Sequence, residues 1–107
     1  MSADAAASET SPADSAAAPR PAARRVICYS IHAVAEPGVM PRVLELFAKR
    51  NLVPGRWHSD LVGPSGDELA IDLQVADLDA HTADYIARCL RQIWGVETVL
   101  TSEKRFA

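Results

Sequence analysis

The chain has 107 residues, a formal net charge of −3 and two cysteines. That length supports one domain and not two. The charge gives no electrostatic footprint for nucleic acid, and Cys28 and Cys89 are too few for a disulfide framework and lack metal-type spacing.

Residues 1–24 are dominated by Ala, Ser and Pro, with no aromatic residue and no Val, Ile or Leu. Such a segment cannot bury enough apolar surface to offset the chain entropy lost on folding, so a disordered tail is expected there. It has no bulky apolar run behind a basic start, and Asp4, Glu9 and Asp14 argue against an organelle transit peptide. No run is long enough to span a membrane, and a cytoplasmic location is expected. The folded part is residues 25–107, with nine basic against eleven acidic residues. A domain this small buries only about 60% of its unfolded surface, which favours a partner chain; a homodimer is expected.

Arg25 to Val34 alternates, with Ile27, Tyr29, Ile31 and Ala33 on the more apolar side, predicted to face helices. Cys28, Ser30, His32 and Val34 fall on the open face. Ala35-Glu36-Pro37-Gly38 is a turn, and Val39 to Arg50 is a helix with Met40, Val43, Leu44 and Phe47 as its apolar stripe. Pro41 sits in the first turn, where its missing donor costs little. Asn51 tolerates the left-handed conformation that ends a helix.

Leu52 to Val62 reads as a strand interrupted by Pro54-Gly55, hence an edge strand with a bulge near Gly55. Gly63 to Asp67 is a hairpin connection. Glu68 to Ala76 is the clearest strand, with Leu69, Ile71, Leu73 and Val75 pointing one way. Asp77 to Trp94 is a second helix, with Asp79 as N-cap and Ala83, Ile86, Leu90 and Ile93 as its stripe. Gly95 ends it, and Val96 to Lys104 is the last strand. The order βαββαβ specifies an α+β, ferredoxin-like fold: a four-stranded antiparallel sheet with two helices on one face.

Three functions of such folds fail on residues. An RNA-recognition module needs aromatics on its central strands, and Glu68 to Val75 has none. A small metal carrier needs Cys-x-x-Cys in the first corner, where Glu36-Pro37-Gly38-Val39 stands. A phosphate-cradling enzyme loop would want an arginine there. His32, His58 and Asp60 do not form a metal site, because a strand separates the two histidines, and no nucleophile–base pair is readable. No catalytic residue, metal or cofactor is expected.

The run from Ala35 to Asn51, with x-Pro-Gly, a hydrophobic pair and a following helix, closely resembles the opening of an ACT domain. Arg42-Val43-Leu44-Glu45, the strand from Leu69 to Ala76 and Val96-Glu97-Thr98-Val99 are most similar to the short small subunits of acetolactate synthase. The resemblance implies a non-catalytic regulatory subunit in branched-chain amino-acid biosynthesis, supporting a thiamine-diphosphate-dependent catalytic chain. The alternative it implies is a free-standing amino-acid sensor. It also implies dimers with continuous sheets, and a small amino-acid effector bound by Ala35, Glu36, Pro37, Gly38, Val39, Met40 and Val53. Ala35 stands where the family usually has Asp or Asn, and Val53 where regulatory members often have Asn. Weak effector binding is therefore expected, through the backbone donors of Gly38, Val39 and Met40.

Overall fold

A computed structural model describes residues 24–106, and the side chains of residues 25–105. The segment expected to be a disordered tail lies outside the described residues, apart from Arg24. The elements run β1 Arg24–Val34, α1 Val39–Ala48, β2 Arg56–Val62, β3 Glu68–Ala76, α2 Ala80–Arg91 and β4 Val96–Phe106. They form one antiparallel sheet in the order β2-β3-β1-β4. This is the ferredoxin-like βαββαβ fold.

The period-2 pattern of β1 and β3 fixes their register. Ile27, Tyr29, Ile31 and Ala33 lie opposite Val75, Leu73, Ile71 and Leu69, and all eight are buried. A slip of one residue would turn every one of them to solvent. Val39, Val43 and Phe47 of α1 and Ala83, Ile86, Ala87 and Leu90 of α2 close this core from one side. Tyr29 meets Phe47 edge to face, with centroids 5.9 Å apart. Its hydroxyl donates to the carbonyl of Ala83 at 2.8 Å, so the one polar atom carried into the core is satisfied. Burial pushes the Tyr29 pKa up to about 12, with the Asp84 carboxylate adding to the shift.

Several expectations shift. The stripe of α1 begins one residue earlier than the sequence suggests: Val39 is fully buried, whereas Leu44 is 45% exposed. The i, i+4, i+8 row through Val39, Val43 and Phe47 sets the buried face. Helix α1 ends at Ala48, and Asn51 takes φ 58° in the turn that follows. Strand β2 begins only at Arg56, because Pro54 cannot donate to a ladder. No bulge interrupts its pairing with β3; the irregularity sits instead between His32 and Ala33 on β1, where Glu97 is the extra residue of β4. Helix α2 is shorter than expected, so Ile93 packs on the core from beyond its end. Cys89 is a half-buried free thiol, with Arg50 Nη2 3.7 Å from its sulfur.

Candidate functional site: the corner between the first strand and first helix

Three backbone bonds build the corner. The N–H of Val34 donates to Gly95 O at 2.8 Å, that of Ala35 to Asp67 O at 3.2 Å, and that of Glu36 back to Val34 O at 2.8 Å. The corner is thus tied to both the β2–β3 hairpin and the α2–β4 connection. Val39 N–H then donates to Glu36 O at 3.1 Å. This closes a turn over Pro37-Gly38, with Gly38 at φ −79° and ψ −8°, the values of the third position of a type I turn. Pro37 supplies the fixed φ that the second position wants.

Two consequences follow for the donors. The Val39 N–H is spent inside the turn, and the Val39 side chain is fully buried, so Val39 contributes nothing to a ligand surface. Among the described residues, no hydrogen bond satisfies the N–H groups of Gly38 and Met40, at the positive end of α1. Glu36 and Pro37 are exposed, while Ala35, Gly38 and Met40 are half-buried.

Gly38 is not required by its backbone, since any residue adopts φ −79°. What its missing side chain leaves room for is Arg42, whose Nη1 lies 2.5 Å from where a Cβ would stand. Arg42 lies outside the apolar stripe expected of this helix, and no cation stands between Ala35 and Pro41. Arg42 is indeed exposed, yet its guanidinium folds back one turn onto the corner. The i, i+4 spacing from Gly38 was the available signal. The glycine that the corner does depend on is Gly95. It has φ +93°, and a Cβ there would lie 2.9 Å from Val34 Cγ2 and 3.1 Å from Val39 Cγ2.

Val53 does not join the corner within one chain. It is 84% exposed between α1 and β2. Gly55 N–H donates to Gln74 O at 2.9 Å, whereas Ala35 lies beside Asp67 and Val34 pairs with Glu68. From Glu68 to Gln74 along β3 is about 20 Å at the rise of a strand. The structure therefore brings together Ala35, Glu36, Pro37, Gly38 and Met40, and leaves Val53 at the far end of the sheet.

Other residues singled out in the sequence fall elsewhere. His58 Nε2 lies 2.8 Å from Asp60 Oδ2 on β2, with β3 between it and His32. Among the described residues no group of three or more His, Cys, Asp or Glu could hold a metal ion. No described helix is long and apolar enough to cross a membrane. Trp57 packs partly on the core, and Trp94 is 66% exposed.

The chain matches the ACT-like domain family over residues 20–105. It belongs to that family. ACT domains are typically regulatory, amino-acid-sensing modules. No curated protein matches this ACT-like chain. Among solved structures it is similar to the ACT domain from GTP pyrophosphokinase of Chlorobium tepidum. That likeness has a TM-score of 0.62 at 13% identity and covers 74% of this chain and 99% of that one. The C-terminal domain of the MgtC protein from Mycobacterium tuberculosis gives 0.63 at 9% identity, covering 79% and 93%. The regulatory subunit of aspartate kinase from Thermus thermophilus gives 0.57 at 16% identity, covering 77% of this ACT domain and 54% of that chain. At such identities these likenesses speak to fold alone.

Proposed function

We propose that this ACT-domain chain is a non-catalytic regulatory subunit of an amino-acid biosynthetic enzyme, of the acetolactate synthase small-subunit type. It acts in the cytoplasm, pairs with itself, and docks on a thiamine-diphosphate-dependent catalytic chain. The observation that carries this reading is the corner. It is a rigid backbone turn with two unspent N–H donors beneath Arg42, and its side chains offer binding groups rather than a nucleophile paired with a base. The fold occurs in the regulatory subunit of aspartate kinase, which supports a regulatory role. The helix Arg42-Val43-Leu44-Glu45 and the strand from Leu69 to Ala76 support the acetolactate synthase type. Capture from the native cytoplasm with the tagged full-length chain tests the proposal. A thiamine-diphosphate-dependent catalytic chain should co-purify; recovery of the chain without one overturns it.

A second reading, a free-standing amino-acid sensor, is favoured by one feature. Arg42 brings a cation to the two free N–H groups, so an effector carboxylate has partners even though Ala35 gives its ammonium none. Calorimetry with valine, leucine and isoleucine separates the two. Weak binding is expected of the parent. Ala35→Asn should tighten it about tenfold or more, because a hydrogen bond to a charged group contributes about 1.5–3 kcal/mol. Gly38→Val should abolish it by displacing Arg42, not by straining the turn. Micromolar binding by the parent, unchanged in Ala35→Asn, favours the sensor.

A further inference from the structure

Charge is unevenly shared between the two layers of the fold. Residues 39–50 and 80–94, which form α1, α2 and the turns that end them, hold five basic residues against two acidic ones. The rest of residues 25–107 holds four basic against nine acidic. The helix layer is therefore net positive on a domain that is net negative. Internal pairing does not remove the excess. The two acids, Glu45 and Asp84, are taken by Lys49 and Arg88 one turn along their own helices. Arg42, Arg50 and Arg91 have no carboxylate within salt-bridge reach among the described residues. Arg50 and Arg91 donate instead to the carbonyls of Leu46 and Val99.

Much of this positive charge gathers along a groove between the two helices. Leu46 of α1 and Ile93, just beyond α2, are half-buried against the core and form its apolar floor. Arg42 and Lys49 line it on the α1 side. Arg50 and Arg88 hold their guanidinium groups 5.1 and 5.8 Å from the centre of the Tyr85 ring, so two cations meet over one side chain of α2. Tyr85 is itself 45% exposed. The open face of the sheet has no such excess: its register sets Arg56 and Lys104 among Asp60, Glu68 and Asp72.

We propose that this groove is the surface on which the chain docks its catalytic partner, and that the segment it takes is an acidic amphipathic helix. The inference rests on the subunit reading above and adds where the two chains meet. The apolar ridge of such a helix lies along Leu46 and Ile93, and carboxylates on its flanks reach Arg42, Lys49 and Arg88. Arg50 is already held by Leu46 O and the Tyr85 ring, so it loses little side-chain freedom on binding. A recessed floor between cationic walls fits a ridge of side chains; a flat anionic lipid surface would meet the walls and leave the floor empty. The separation of charge between the layers also turns the helices, and not the sheet, towards an acidic partner during approach.

The test is calorimetry of the full-length chain against the native host's thiamine-diphosphate-dependent catalytic chain. Lys49→Glu with Arg88→Glu reverses the charge of both groove walls, and Arg42 is left unchanged because it also reaches the corner. Each reversal sets like charges four residues apart on an exposed helix face, a small cost to folding, so the variant should melt close to the parent. It should bind the catalytic chain about tenfold more weakly or worse, and its affinity should fall less steeply with salt than the parent's. The neutral pair Lys49→Gln with Arg88→Gln should weaken binding about threefold, and it carries the test if the reversed pair does not fold. Arg56→Glu with Lys104→Glu makes the same change of charge on the open face and should bind within about twofold of the parent. A parent complex that the groove variants form equally tightly, or that the open-face variant weakens as much, overturns this surface and leaves the subunit reading standing. A parent that forms no complex overturns the subunit reading and this surface with it.

Discussion

Tyr29 shows how one polar atom can be carried into a core this small. Its ring is 1% exposed and its hydroxyl reaches Ala83 O. The folded-state pKa of about 12 lies above the ordinary tyrosine value of about 10. The unfolded chain therefore releases this proton first as pH rises. Stability is untouched by Tyr29 below about pH 10 and declines through the window up to about 12. Tyr29→Phe should remove that alkaline decline and cost about 1 kcal/mol at neutral pH from the lost hydrogen bond. Denaturant titrations at pH 7 and pH 11 check both halves. Gly95 is the second sensitive position. Gly95→Ala must hold a positive φ while pressing a methyl group on Val34 and Val39, so about 1–3 kcal/mol of strain plus a displaced corner is expected. Gly38→Ala needs only that Arg42 swing away, and should melt close to the parent.

At the scale of elements, helix α2 depends on its cap. The Asp79 carboxylate accepts from Thr82 N–H at 2.7 Å, and hydrogen bonding from Thr82 holds its pKa below the usual carboxylate value. A depressed carboxylate contributes stability above its unfolded pKa, and that contribution is lost as pH falls through the folded one. Asp79→Ala should lower Tm at neutral pH, whereas Asp79→Asn should keep the cap and lose the acid-side dependence. The elements legible in the sequence were those with an unbroken period. Strand β3 was read to the residue, because Leu69, Ile71, Leu73 and Val75 alternate without exception. The start of β2 and the last turn of α1 were not: pairing waits until Arg56, past Pro54, and α1 stops at Ala48, ahead of the left-handed Asn51 that the sequence did mark. The site was half legible. Pro37-Gly38 announced the turn, but the spending of Val39 N–H, the fold-back of Arg42 and the distance to Val53 depend on tertiary geometry. Leu44 was misplaced because helical spacing finds a stripe and cannot tell which flank a neighbouring element leaves bare.

For the whole molecule, an ACT domain whose sheet, among the described residues, has no strand paired beyond β2 or β4 is suited to being part of an assembly. The segment before Arg24 has the composition of a chain that adds little to a core, so removing residues 1–23 should leave Tm nearly unchanged; a large drop would show that it packs on the domain. The regulatory reading meets its most direct test in a titration. The native host's thiamine-diphosphate-dependent catalytic chain is held at fixed concentration, the full-length protein is added in steps, and acetolactate formation is followed. The account predicts a saturable change in rate that levels off at a fixed ratio of the two chains. A flat titration, with no complex detectable at the same concentrations, would contradict it.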